Sequence, residues 1–189
     1  MRTIRSFIAV PLPVEVQRRV GRVIDLLASD DDGVKWVPAE NLHLTLKFLG
    51  DVDNRSVPEV CQTMRACCRE QAPFGIELSG MGAFPDVGRT RVLWIGVVQG
   101  EKPLTELVER LEEKCAAIGF KREPRRYQAH LTIGRMKTGR RPSDELREKL
   151  TSYAKTPFGS LLVNEIHLVA SFLEKRGASY TVMDRTELA

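Results

Sequence analysis

A chain of 189 residues, 42% apolar and 29% charged, has the balance of a globular protein with room for a real core, and no stretch approaches the length and apolarity of a membrane span. Twenty-nine Lys and Arg against 25 Asp and Glu leave a net charge of +4, a mild surplus that suits an anionic partner and equally a plain solvated surface. Cys61, Cys67, Cys68 and Cys115 show no C-x-x-C spacing and three of them crowd one predicted helix, so reduced thiols and a cytoplasmic setting are expected rather than a disulfide framework.

The segment at 2–10 carries the β-branched and aromatic content of a strand, closed by Pro11 and Pro13. The same prolines interrupt the apolar stretch from Phe7 to Val16, which lacks a small-residue cleavage pattern, so no signal peptide is expected. A helix follows over about 14–28, with Val16, Val20, Val23, Ile24 and Leu27 three and four apart on one face, and the acidic turn at 30–33 ends it. Next come a strand at 42–49, a helix at 57–70, and strands at 74–82 and 91–98 separated by a turn at 85–88. The amphipathic helix at 104–118 stops at Gly119, where a left-handed cap is needed. A strand at 127–133, a helix at 143–153 and strand-like runs at 158–172 and 179–183, turned at Gly177, complete the chain. Basic runs at 121–126 and 137–141 read as loops. One domain spanning 1–189 is expected, built as two similar lobes because H-L-T-L at 43–46 returns as H-L-T-I at 130–133, 87 residues on.

Side chains alternate along a strand, so Leu42, Leu44, Leu46 and Phe48 share a core face while His43, Thr45 and Lys47 share the other. In the second copy Ala129, Leu131 and Ile133 oppose His130 and Thr132. Hydrolysis of a cyclic phosphodiester needs a base on the attacking water and an acid on the departing ribose oxygen, from opposite sides of phosphorus. Two imidazoles with ordinary pKa values near 6.5 can fill both roles near neutral pH. A threonine two residues along each strand can donate its hydroxyl to a non-bridging oxygen. A single histidine on a strand is as a rule a hydrogen-bonded structural residue; repetition of the pattern is what favours chemistry. His167 lacks such company and reads as partly exposed structure. Two histidines without carboxylates or thiols at ligand spacing do not make a zinc site, and no metal or cofactor is expected.

These residues resemble the 2H phosphoesterase superfamily and, within it, the RNA 2′,3′-cyclic phosphodiesterases formerly called 2′-5′ RNA ligases. The resemblance runs through R-S-F-I-A-V-P-L-P at 5–13, K-W-V-P-A-E-N-L-H-L-T-L-K-F-L-G-D-V at 35–52, G-A-F-P at 82–85, R-V-L-W-I-G-V at 91–97, H-L-T-I-G-R at 130–135 and F-G-S-L-L-V-N-E-I-H-L at 158–168. It implies an α+β, bilobal fold in which two antiparallel sheets, with helices outside, face each other across a central groove. It implies His130 as the proton acceptor that activates water, His43 as the donor to the departing 3′ oxygen, and Thr45 and Thr132 on the phosphate oxygens, leaving a 2′-phosphate. The partners expected are RNA or tRNA-fragment 3′ ends and nucleotide 2′,3′-cyclic phosphates; no membrane is expected, since no stretch approaches a span, and a monomer is expected.

The resemblance also offers Arg135 as a phosphate clamp. Simple alternation sends Arg135 to the face opposite His130, unless a bulge at Gly134 re-aims it. Lys47, on the face of His43, is a candidate phosphate neighbour. Phe7, Trp36, Phe48, Phe84 and Tyr127 are the aromatics able to stack on a base, with core packing the alternative for each and especially for Phe48. A competing reading is an RNA-end-binding module with incidental 2′-5′ ligase activity, supported by the two basic runs.

Overall fold

The computed structural model describes residues 2–174 and 177–189. In chain order the elements are β1 (Thr3–Pro11), α1 (Val14–Leu27), β2 (Val34–Trp36), β3 (His43–Asp53), α2 (Val57–Cys68), β4 (Phe74–Phe84), β5 (Val92–Gln99), α3 (Glu101–Ala117), β6 (His130–Met136), α4 (Asp144–Ser152), β7 (Pro157–Val163), β8 (Glu165–Glu174) and β9 (Gly177–Glu187). Two antiparallel sheets result, one ordered β3-β1-β8-β9 and the other β2-β6-β5-β4-β7. Among the described residues no helix is long and apolar enough to cross a membrane.

The helices form where the apolar spacing predicts. In α1, Val16, Val20, Ile24 and Leu27 are buried, each worth about 1.5–3 kcal/mol against exposure, and the helix lies against β7 of the second sheet. Helix α4 starts at Ser143, whose hydroxyl accepts from the Leu146 N–H, and packs on β4. On the other side α2 and α3 pack together, α2 against β9 and α3 against β3. A continuous apolar cluster joins residues of all four helices to the core faces of both sheets. Cys61, Cys67, Cys68 and Cys115 are free and buried within it. Burial pushes the thiols of Cys68 and Cys115 up to about 12, so they serve as small apolar side chains.

The two sheets are not the two halves of the chain. The first sheet takes β1 and β3 from the start and β8 and β9 from the end, while β2 crosses early into the second. The three-residue β2 escapes the sequence pattern because its partner, β6, lies a hundred residues away. The run at 158–172 is broken at Asn164, whose carbonyl accepts from the Leu188 N–H as the chain leaves one sheet for the other. Between Glu174 and Gly177, which pair across β8 and β9, the turn expected near Gly177 lies outside the described residues.

Candidate active site

Both H-x-T strands carry the same irregularity. Along β1 and β3, Ala9 pairs with Thr45 and Ile8 with Lys47, leaving Leu46 without an opposite residue. Along β5 and β6, Trp94 pairs with Thr132 and Leu93 with Gly134, leaving Ile133 so placed. Each strand thus bulges at the fourth residue of its H-L-T-L/I tetrapeptide, and side-chain parity flips beyond it. Leu46 and Lys47 are both buried and Phe48 is 63% exposed; Ile133 and Gly134 are both buried and Arg135 is exposed. Phe48 and Arg135, each five residues past its histidine, occupy equivalent positions and both line one groove of about 1050 Å³.

The bulge settles the face of Arg135, although the glycine acts differently from the sequence expectation. Gly134 has an ordinary backbone; a Cβ there would come within 2.8 Å of Val34 and 3.0 Å of Trp36. Glycine is needed so that β2 can lie close against the bulged strand. Gly82 plays a similar part, since a side chain would collide with the Trp94 ring that crosses it.

The two histidines sit at the first residue of their strands and are held alike. Nδ1 of His43 donates to the Asn41 carbonyl at 2.7 Å, and Nδ1 of His130 donates to the Gln128 carbonyl at 2.7 Å. A carbonyl only accepts, so Nδ1 keeps its proton in both rings and Nε2 is left for proton exchange with a substrate. Burial lowers the pKa of His43 below the ordinary value, the Asn41 bond opposes this, and the charge of Arg135 lowers it further. The same three influences, with Gln128 as the bond partner, lower His130. The two histidine strands, β3 and β6, lie against one another, and the charge of Arg135 disfavours the protonated form of both rings.

Aromatic rings fix each imidazole. Phe7 stacks on His43 with centroids 4.6 Å apart and planes 25° from parallel, and Tyr180 meets the same ring edge-on at 5.3 Å. Phe84 meets His130 edge-on at 5.0 Å. Thr45, His130, Thr132 and Arg135 line the groove. Neither threonine hydroxyl is hydrogen-bonded to another described residue, so each is free to donate to an incoming oxygen. Tyr127 ties the segment leading into β6 to β3, its hydroxyl donating to the Thr45 carbonyl at 3.1 Å.

Several sequence expectations change here. Lys47 does not stand beside His43: its ammonium is buried on Glu112 at 2.6 Å and on the Lys121 carbonyl at 3.0 Å. Phe48, expected in the core, is an exposed groove wall instead. Phe7, offered as a base-stacking ring, is 4% exposed and spends its face on His43. Trp36 packs beside Gly134 and donates to Asp32 at 2.7 Å. His167 is structural as expected but buried rather than partly exposed, its Nε2 3.0 Å from Glu165. Tyr180 carried no sequence signal, since β9 brings it to His43 across β8 and β1. Of the two basic runs, 121–126 lines the groove, whereas Arg140 of the other is tied to Asp31 at 2.6 Å. Among the described residues no group of three or more His, Cys, Asp or Glu side chains could hold a metal ion.

Two facing antiparallel sheets presenting paired H-x-T strands define the class, and comparison with known proteins places the chain within it. The chain belongs to the 2′-5′ RNA ligase superfamily, whose family pattern matches residues 12–171. It is 38% identical over 181 residues to an RNA 2′,3′-cyclic phosphodiesterase of Methanothermobacter thermautotrophicus, covering 96% of this chain and 97% of that one. Another protein of that name, from Aquifex aeolicus, is 37% identical over 90% of this chain and 88% of its own length. The fold matches the crystal structure of Escherichia coli LigT complexed with 3′-AMP, with a TM-score of 0.80, 26% identity and coverage of 100% of this chain and 99% of that one.

Proposed function

We propose that the chain hydrolyses the ribose 2′,3′-cyclic phosphate at an RNA 3′ end, leaving a 2′-phosphate, with the two imidazoles as its acid and base. The activity named for its relatives supports the reaction. The observation that carries the mechanism is the twin arrangement in which both Nδ1 atoms are tied to carbonyls, leaving Nε2 to exchange protons, on two H-x-T strands that lie against one another.

In the proposed step, Nε2 of His130 takes a proton from water as its oxygen bonds to phosphorus, and the bond from phosphorus to O3′ breaks. O3′ receives the proton carried by Nε2 of His43, and the phosphate stays on O2′. The rings end with their protons exchanged and recover through solvent. Thr45, Thr132 and Arg135 meet the non-bridging oxygens, where negative charge grows in the transition state. Before substrate binds, burial and Arg135 favour neutral rings; the phosphate's own charge then favours the imidazolium that His43 must become. Phe7 and Tyr180 hold that ring's plane rather than touch a base, and Phe48 is the exposed ring placed to stack on one. The free buried thiols support a reducing, cytoplasmic setting, and a monomer suffices because both histidines come from one chain.

The test is product analysis on a defined oligonucleotide with a 2′,3′-cyclic end, in chelator, for the wild type and both histidine-to-alanine variants. A 2′-phosphate product formed in chelator and absent with both variants is expected. An unchanged cyclic end that the wild type nevertheless binds would refute the reading.

A further inference from the structure

The groove is larger than its chemistry requires. A volume of about 1050 Å³ exceeds the roughly 300–1000 Å³ that holds a drug-sized ligand, and a nucleoside cyclic phosphate is no bigger than that. Beyond the H-x-T residues its lining takes in α3 and the segment 121–128 with Arg122, Arg125 and Arg126, while Arg91 lies by the end of β6, its carbonyl accepting from the Met136 N–H at 2.9 Å. Seven cationic and three anionic side chains line the groove, a surplus of four. That surplus equals the net charge of the entire chain, so the other 22 basic and 22 acidic residues cancel. A charge imbalance gathered in one groove differs from a generally basic surface.

The acidic members do not undo it. Glu112 faces the buried Lys47 ammonium at 2.6 Å and also accepts from the Glu123 N–H at 3.1 Å. Glu123 approaches Arg125 at 3.9 Å, and Glu109 is the third. Arg122 and Arg126 are exposed and form no ion pair among the described residues. The segment that carries them is moored, because Lys47 holds the Lys121 carbonyl, Glu112 holds the Glu123 N–H and Tyr127 holds β3. Exposed arginines on a fixed backbone, beside the rings of Phe48, Phe84 and Tyr127, are what a single-stranded polynucleotide needs along its path.

Resting on the activity proposed above, we infer that the segment 121–126 forms a subsite for backbone phosphates upstream of the cyclic end, so that a cyclic-ended oligoribonucleotide is turned over in preference to a cyclic mononucleotide. Arg122, Arg125 and Arg126 are the specificity-determining residues, and the buried Lys47–Glu112 pair positions them.

The experiment compares kcat/KM on a cyclic-ended tetranucleotide with kcat/KM on the cyclic mononucleotide of the same terminal base. The wild type is expected to favour the tetranucleotide by about tenfold or more, the yield of one or two charge-assisted hydrogen bonds. R122A/R125A/R126A brings the ratio close to one, while K137A/R141A, which takes charge from the basic run outside the groove, leaves it intact. A wild-type ratio near one, or equal ratios in the wild type and the triple variant, overturns the subsite while the activity stands. If neither substrate turns over, the activity fails, and the subsite is judged by anisotropy of a fluorescent tetranucleotide ending in a 2′-phosphate. There the triple variant should flatten the dependence of log K on log salt by roughly 0.7 for each phosphate no longer neutralised; an unchanged slope overturns the subsite.

Discussion

The strands β3 and β6 follow the same course through histidine, leucine, threonine and a bulged aliphatic residue, and then diverge. At the equivalent position beyond the bulge, β3 presents the exposed ring of Phe48 and β6 the exposed guanidinium of Arg135. The surroundings of the imidazoles diverge as well: Phe7 and Tyr180 enclose His43, while His130 has one aromatic edge, from Phe84, and opens on the groove. An enclosed imidazole exchanges protons with bulk water less readily and suits a group that delivers a stored proton to a leaving oxygen. An open one suits a group that must meet water. The same local design can therefore serve the two proposed roles, and the difference lies in what surrounds each tetrapeptide.

The largest effects test that division of labour. Histidine-to-alanine variants at 43 and 130 should each lower kcat by about 10³–10⁴-fold on a cyclic-ended oligonucleotide, and the double variant should fall little further, because the two rings act as one unit. They part company on an aryl phosphodiester whose nitrophenolate leaves without a proton. There His43→Ala should recover much of its rate and His130→Ala none, and recovery in the second variant alone would reverse the assignment of acid and base. The threonines come next. Thr45→Val and Thr132→Val each remove one donor from the developing charge, at about 10²-fold in kcat, and comparison of the two in single-turnover assays shows whether the lobes share that load equally.

Lys47 separates support from direct binding. Lys47→Met keeps the stem but strips Glu112 of its buried partner, so chemical denaturation should show destabilisation by about 3 kcal/mol. The same variant should raise KM for long substrates through the loosened segment at 121–123. A fall in kcat without a change in stability would instead place Lys47 on the phosphate. For Phe48→Ala, removal of one stacked ring worth about 1–3 kcal/mol predicts a KM roughly tenfold higher at nearly constant kcat; a lowered kcat with unaltered KM would place Phe48 with the reacting atoms.

What the sequence conveys and what it withholds follow the same boundary. Periodicity is legible wherever the chain keeps strict register, hence α1 with its four buried aliphatic residues and both H-x-T faces as far as the threonine. The extra residue at Leu46 and at Ile133 reverses the side chains that follow it, until a second shift at Leu49 in β3, which is why alternation misplaces Lys47 and Phe48 and leaves Arg135 ambiguous. No residue type marks the bulges, since Leu46 and Ile133 are ordinary strand residues. Tyr180 and β2 are hidden for a different reason: their partners are remote in sequence, and only the sheet order brings them together.

The smallest effect concerns Arg135 and is read on the pH axis. The profile of kcat/KM reports the free enzyme, rising with pH as the base histidine loses its proton and falling as the acid histidine loses its own. Burial and Arg135 hold both groups below the ordinary histidine value near 6.5, so the maximum should lie on the acid side of it. Arg135→Gln removes a positive charge that disfavours both imidazolium forms. Both pKa values therefore rise and both limbs move to higher pH, by less than about one unit because burial, the larger cause, remains. The height of the profile drops as well, since the variant binds phosphate more weakly, but height and position are separable. A lower curve centred at the wild-type pH would show that the guanidinium touches substrate without reaching the rings. Movement of one limb alone would show that its charge reaches only one lobe.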